Sequence, residues 1–438
     1  MERRVVKTLT VLMNGLLIGH LRKSSEGGMS FRYDESWLTT PDKRPISMHL
    51  PTEPALHTGD HVYNFFDNLL PDNPAIRQHI QQRFAVRSNH PFDLLEAIGK
   101  DCIGAIQLYR SDETPHLLRA IVGTPLTDDD LKQKVASSRT APLGMTPSHE
   151  EFRISLAGAQ DKTGFLWHEN QWKTPEGTTP TTHIIKLPIG KIDHNSIDLT
   201  DSVDNEWLCL KLLRLYGLDI TNADRLTIAD TTVLAVERFD RRLSRDKSWI
   251  MRLPQEDMCQ ALGYSSGQKY QADGGPGMVE IMKLLERSDN AEKDRYDFMK
   301  INFLFWLMCA PDGHAKNFSI FILQGGKFKL TPFYDVLSLY PLMANRQINQ
   351  REIKMAMGLK GSKQYYNWYG PSLTIDHILS TADACDFSRQ TMMDIVQDVL
   401  SKTESILTEA EQMLPADLSR DVSKAIFDGI RRTRVKLM

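Results

Sequence analysis

Asp312 and Asn317 stand five residues apart in Ala310-Pro-Asp-Gly-His-Ala-Lys-Asn-Phe318, and Asp335 follows eighteen residues later in Thr331-Pro-Phe-Tyr-Asp335. The flanks leave few folds open to such a triplet. Upstream, Asp294 to Ala310 reads as one apolar helix carrying Phe298, Phe303, Leu304, Phe305, Trp306 and Leu307. Downstream, Phe318 to Leu323 and Lys327 to Leu330 read as two strands turning at Gln324-Gly325-Gly326.

Helix, polar loop, hairpin and aspartate is the order in which phosphotransferases of the protein-kinase type present their chemistry. A loop aspartate receives the acceptor hydroxyl proton, an asparagine five positions on holds one Mg²⁺, and a later aspartate holds the other. Taken singly, Asp312 reads as a turn aspartate and His314 as a core histidine. As a set, Asp312, Asn317 and Asp335 supply what a hard cation takes, an amide and a carboxylate oxygen with positions left for water and ATP phosphates. His314 is placed to donate to a phosphate or to orient the nucleophile.

Composition narrows the class. With 41% hydrophobic, 25% charged and 8% aromatic residues the chain is an ordinary globular protein of two or three domains. No apolar run approaches the ~18 residues of a membrane span, and the start, Met-Glu-Arg-Arg-Val-Val, has no signal-peptide apolar region, so a cytoplasmic protein without membrane contact is expected. Cys102, Cys209, Cys259, Cys309 and Cys385 lack Cys-x-x-Cys spacing, which argues against structural zinc and a disulfide framework. A net charge of −3 argues against gripping nucleic acid over the whole surface.

The expected fold is α+β, a two-lobed protein-kinase-like fold with an N-terminal β/α subdomain, a small β-rich N-lobe and a mostly helical C-lobe. Val5 to Met13 and Leu16 to Leu21 form a hairpin at Asn14-Gly15, and a helical stretch from Gly59 to Phe84 is broken at Pro71 and Pro74. The boundaries are 1–135 for the N-terminal subdomain, 136–150 for a polar linker with Pro142 and Pro147, 151–240 for the N-lobe and 241–438 for the C-lobe. In the N-lobe, Arg153 to Ser155, Gly164 to Trp167, His183 to Leu187, Leu226 to Ile228 and Val233 to Val236 read as strands. Val203 to Tyr216 reads as a helix stopped by Gly217. Beyond Asp257 only the hairpin before Asp335 interrupts a helical pattern.

Lys186 lies in the apolar strand His183-Ile-Ile-Lys-Leu-Pro188, where an ammonium is costly unless paired. It reads as the lysine that grips nucleotide phosphates, with Glu206 on the following helix as its partner. The loop Ser155 to Thr163 sits where backbone N–H groups would meet phosphates, with Gly158 its one bare backbone position. Val236-Glu-Arg-Phe-Asp-Arg241 ends the fifth strand, where backbone groups around Glu237 and Phe239 would hydrogen-bond adenine.

Phe152-Arg-Ile-Ser-Leu-Ala-Gly-Ala-Gln160, Thr181-Thr-His-Ile-Ile-Lys-Leu-Pro188, Arg252-Leu-Pro-Gln-Glu-Asp-Met-Cys-Gln260, Asp273-Gly-Gly-Pro-Gly277, Asp312-Gly-His-Ala-Lys-Asn317 and Thr331-Pro-Phe-Tyr-Asp335 resemble segments of the HipA family, the serine/threonine-kinase toxins of bacterial HipBA toxin–antitoxin pairs. The likeness runs through nearly the whole chain and includes Val62 to Asp72. It implies Asp312 as catalytic aspartate with His314 beside it, and Asn317 and Asp335 as Mg²⁺ ligands. It further implies ATP contacts from Ala157, Gly158, Ala159, Gln160, Asp161, Lys162, Lys186, Glu237, Arg238, Phe239, His314, Ala315, Lys316, Asn317, Tyr334 and Asp335. Ser155 matches the serine such kinases autophosphorylate, where a phosphate would compete with ATP for the same donors. The family's protein substrate is implied to be glutamyl-tRNA synthetase. The implied partner is a HipB-type helix-turn-helix antitoxin dimer, through which the chain would act as corepressor on operator DNA.

The chain lacks the His-Arg-Asp and Asp-Phe-Gly triplets and the full glycine loop of ordinary protein kinases. Asp376, Asp383 and Asp386 are acidic where a DNA-facing helix would be basic. Arg431, Arg432, Arg434 and Lys436 read as a solvated basic tail. A catalytically silent kinase-fold corepressor and a small-molecule kinase remain open as alternatives.

Overall fold

The computed structural model describes residues 7–115, 119–140, 162–192, 197–228, 230–369 and 374–437. The chain divides into two compact units, one made of 1–187, 226–267 and 320–328, the other of 188–225, 268–319 and 329–438.

The first unit opens on the expected hairpin. Lys7–Met13 pairs with Leu16–Lys23, and the turn residues Asn14 (φ 51°) and Gly15 (φ 82°) both take the positive φ that a two-residue turn matched to strand twist demands. Met29–Tyr33, His57–Thr58 and Ile106–Arg110 complete a five-stranded sheet. Asp60–Asp67 and Pro91–Ile98 are helices; Val62, Phe65, Phe66, Phe92, Leu94 and Leu95 join Leu9, Val11 and Phe31 in one core. Each of these large side chains contributes roughly 1.5–3 kcal/mol by leaving water. The break between Asp60–Asp67 and Pro74–Arg83 falls across Pro71 as the sequence predicts.

A second sheet runs in the order Ala223–Ile228, Thr231–Glu237, His183–Lys186, Lys162–His168, Gln171–Pro175, Gly123–Pro125. Two sequence expectations need correction here. The segment expected to open a linker at 136 is still helical, since Asp128–Thr140 forms one helix. Its start is a reciprocal cap: the Thr127 N–H donates to Asp130 Oδ2 (2.9 Å) and the Asp130 N–H donates to Thr127 Oγ1 (3.1 Å). Leu131 and Val135 then pack on Phe165 and Ile185, so this helix and the strand Gly123–Pro125 belong with the second sheet rather than with a subdomain ending at 135. The expected linker positions 141–150 and the strand at 153–155 lie outside the described residues.

The second unit is built on the helices Ser202–Leu215, Met278–Leu285, Ala291–Leu307, Arg389–Gln412 and Arg420–Val435. Gly217 takes φ 87° just past the first of them. The reading of everything after Asp257 as helical apart from one hairpin misses a second hairpin, Lys354–Lys360 with Gln364–Asn367. The C-terminal basic residues are not a solvated tail. They lie on or just past the helix Arg420–Val435, where Arg431 Nε and Arg434 Nη1 donate to Glu404 at 3.2 and 2.9 Å, and the Lys436 ammonium sits 5.1 Å from the Trp368 ring.

Glu256 is an exception to the apolar interior of the first unit. It is fully buried, and its Oε1 accepts the Met48 N–H at 2.8 Å. Burial pushes this carboxyl up to about 8, against the pull of the Met48 N–H and Ser47. A carboxyl raised on folding stabilises the fold below the ordinary glutamate range and progressively loses that contribution as pH rises toward 8. The stability of Glu256→Gln relative to the native chain is therefore expected to grow by about 2–4 kcal/mol between pH 5 and pH 8. Urea unfolding at both pH values checks it; a gap that stays constant means Glu256 ionises without penalty.

Candidate functional site

The loop after Ala291–Leu307 closes on one carbonyl. The backbone carbonyl of Asp312 accepts the His314 N–H (2.8 Å) and the Asn317 Nδ2 (2.7 Å), and the Asn317 N–H donates to His314 (2.9 Å). This closes residues 312–317 into a tight turn whose last part, Ala315–Asn317, is a single 3₁₀ turn. Gly313 is required by space: a Cβ there would lie 2.4 Å from the Phe305 ring. Beneath the loop, fully buried Phe318 packs on Phe298, Phe305 and Phe333 at centroid distances of 4.9, 6.1 and 6.0 Å. His314, Lys316 and Asn317 are buried, whereas Asp312 is exposed at the rim of a cavity of about 300 Å³ lined by Tyr270, Asp273, Pro311, Lys354 and Ala356.

Asp335 is tied to this loop by its neighbour. The Tyr334 hydroxyl donates to the Lys316 carbonyl at 3.0 Å and lies 2.6 Å from Ser319 Oγ. Asp335 takes φ 60°, a left-handed conformation uncommon for a residue with a side chain and concentrated at functional positions. The donor chemistry fits a hard cation. Asn317 spends its NH₂ on the Asp312 carbonyl, so its amide oxygen, together with the Asp335 carboxylate, would be the donors offered to such a cation. Among the described residues no three His, Cys, Asp or Glu side chains converge as a metal cage.

In the first unit, Lys162 and Lys186 are direct cross-strand partners in the second sheet, and both are buried. Glu206 is buried on Ser202–Leu215 of the second unit, between Asn205, which bonds the backbone of Ser338 in both directions, and Trp207. Its pairing with Lys186 stays a proposal. Ser155, Ala157, Gly158, Ala159, Gln160 and Asp161 lie outside the described residues.

The adenine-contact reading changes for Arg238. Its N–H donates to the Thr182 carbonyl (2.8 Å) and its guanidinium is fully engaged elsewhere: Nε and Nη2 bond Asp240 at 3.0 and 2.9 Å, and Nη1 bonds Thr181 at 2.9 Å. Around it, Arg241 and Arg252 reach Asp101 Oδ1 at 3.0 and 3.2 Å. Asp101 and Asp240 thus answer three buried guanidiniums. Burial alone would raise the Asp101 carboxyl, but Arg241, Arg238 and Arg252 hold it well below the usual carboxylate range. The Arg238 guanidinium is thus a structural group, and the adenine role of the stretch Glu237 to Phe239 stays a proposal.

Sequence reasoning also passed over Tyr270, whose hydroxyl donates to Asp312 Oδ1 at 2.8 Å. The glycine-rich run that follows it was the available signal.

The fold is α+β and kinase-like, with the Asp312–Asn317 loop and Asp335, which follows the next hairpin, in the second unit and the Lys162–Lys186 pair on a sheet of the first. The HipA-like C-terminal domain model matches residues 154–407 and the HipA N-terminal domain model matches residues 9–109. The chain belongs to the HipA family. It is 30% identical over 380 residues to the protein Y4mE of Sinorhizobium fredii, covering 84% of this chain and 87% of that one. It is 27% identical over 347 residues to the serine/threonine-protein kinase toxin HipA of Shewanella oneidensis, covering 76% of each. The fold matches the HipA structure from the Shewanella oneidensis HipA, HipB and operator DNA complex with a TM-score of 0.79 at 23% identity, over 98% of this chain and 96% of the other. Among the described residues no helix is long and apolar enough to cross a membrane.

Proposed function

We propose that this protein is an ATP-dependent serine/threonine protein kinase that acts as the toxin of a toxin–antitoxin pair in the cytoplasm. The observation that carries the reading is the Asp312–Asn317 loop, in which the backbone of Asp312 is fixed by two donors while its carboxylate is presented at a cavity. The acceptor hydroxyl oxygen forms a bond to the γ-phosphorus, the bond from that phosphorus to the bridging oxygen breaks, and its electron pair leaves with ADP. The hydroxyl proton passes to the Asp312 carboxylate. Lys186 and Lys162 hold the phosphates, Glu206 orients Lys186, and Glu237 and Phe239 hold adenine. Mg²⁺, held by Asn317 and Asp335, neutralises phosphate charge when bound.

The regulated residue is Ser155, phosphorylated by the chain itself as an off-switch. The protein substrate is a translation component, glutamyl-tRNA synthetase by family likeness, whose loss leads to growth arrest and persistence. The partner is a HipB-type antitoxin dimer that brings the chain to operator DNA as corepressor. Support comes from family membership and from the relatives named above.

Intact and peptide mass spectrometry after incubation with Mg²⁺ and ATP tests the core of this reading. The expected result is a gain of ~80 Da on the Ser155 peptide, absent from an Asp312→Asn variant. Unmodified wild-type protein with ATP still bound would favour a catalytically silent corepressor.

A further inference from the structure

The Asp273-Gly-Gly-Pro-Gly277 run has no part in the scheme above, yet it is folded with little tolerance. Gly274 takes φ 84°, a Cβ on Gly275 would lie 1.9 Å from the Gln268 carbonyl oxygen, and one on Gly277 would lie 2.2 Å from Gln271 Nε2. The turn closes on a single residue: the N–H groups of Asp273 and Gly275 both donate to the Tyr270 carbonyl, at 3.1 and 3.0 Å. Gln271 Oε1 accepts the Gly358 N–H at 2.9 Å, which ties the turn to the strand Lys354–Lys360. On the other side, the Ala315 N–H donates to the Lys269 carbonyl at 3.1 Å, and the Tyr270 ring meets His314 edge-on at 5.1 Å. Tyr270 is therefore fixed from three directions, and its hydroxyl ends on Asp312 Oδ1.

We propose that Tyr270 is a positioning residue that aims the Asp312 carboxylate at the acceptor hydroxyl, and that the glycine-rich turn 273–277 holds it there; the inference rests on the reading of Asp312 as the base. The loop's backbone hydrogen bonds fix where Asp312 starts but leave its side chain to rotate at an exposed position. A base has to sit within about 2.6–3.2 Å of the proton it takes. A phenolic O–H is a donor at neutral pH, and a carboxylate accepts on two oxygens, so a tyrosine on Oδ1 fixes the rotation and leaves Oδ2 for the acceptor. The acceptor segment enters through the cavity bounded by Asp273, Pro311 and Lys354.

The test uses the full chain and labelling of the chain itself from γ-labelled ATP, measured as maximal rate and ATP half-saturation. Tyr270→Phe keeps the ring on His314 and removes the hydroxyl. Its maximal rate is expected to fall about 10–100-fold, with ATP half-saturation within about twofold, since the phenol contacts the base and not the nucleotide. Combined with Asp312→Asn it should add no further loss, a coupling that a merely structural tyrosine does not show. Wild-type labelling rates in Tyr270→Phe, or an equal loss in the Asp312→Asn background, overturn the positioning role and leave the kinase reading standing. Equal labelling by wild type and Asp312→Asn removes Asp312 as the base, and the positioning role with it.

Discussion

Asp312→Asn is expected to lower phosphoryl transfer by about 10²–10⁴-fold, the range that a positioned general base supplies, while ATP half-saturation and the unfolding midpoint stay close to wild type. The separation follows from how the loop is held. Both donors that close it, the His314 N–H and Asn317 Nδ2, end on the backbone carbonyl of Asp312. The side chain is exposed and bonds the Tyr270 hydroxyl, which an amide oxygen can still accept. Asparagine thus changes the chemistry and leaves the turn intact. Asn317 is a poorer probe, because Asn317→Ala removes a proposed metal ligand and a loop anchor together. Initial rates over a range of ATP concentrations decide the matter; a variant retaining more than about a tenth of the wild-type maximal rate excludes Asp312 as the base.

The loop 312–317 and its flanking elements were legible in the sequence because their information is local. Asp312, Asn317 and the hairpin after them lie within one short stretch, and the helix before them carries an unmistakable apolar load. The Asn14-Gly15 turn and the Gly217 helix stop were legible for the same reason, since a positive φ restricts residue choice on the spot. What failed to show depends on partners far along the chain. The cluster around Arg238 did not show because Asp101, which joins it to Arg241 and Arg252, is 137 residues away. Tyr270 lies 42 residues from the carboxylate it bonds. The helix Asp128–Thr140 does not show in the sequence because the polar residues from 136 on read as linker, although Thr127 and Asp130 form its cap. The register that sets Lys162 opposite Lys186 is a property of the assembled sheet, and no spacing rule along one strand contains it.

Asp101→Asn is expected to cost about 3–5 kcal/mol of folding stability, the range seen when one partner is removed from a buried ion pair. The native cluster sets three guanidiniums against two carboxylates, and Asp101 alone touches Arg238, Arg241 and Arg252. Neutralising it leaves three buried cations facing Asp240. Asparagine also offers donors where Thr181 donates both its N–H (3.0 Å) and its hydroxyl (2.7 Å) to Asp101 Oδ2. The pH dependence separates this carboxylate from Glu256 in the same unit. Asp101 is held below the usual range, so its contribution is complete above that range and is lost only as pH falls through the depressed value. The deficit of Asp101→Asn should therefore be constant from pH 5 to pH 8, where the Glu256→Gln gap widens. The difference has one origin: Asp101 faces guanidiniums, whereas Glu256 is buried against a backbone N–H and a serine, with the Asp257 carboxylate near it. Because Arg238 stands between Glu237 and Phe239, the loosened cluster should also raise ATP half-saturation, a readout independent of global unfolding. Urea unfolding at the two pH values, beside ATP titration of the folded variant, checks both parts. A deficit below about 1 kcal/mol would mean that the guanidiniums find other partners, and would exclude the cluster as the link between Asp101 and the stretch 237–241.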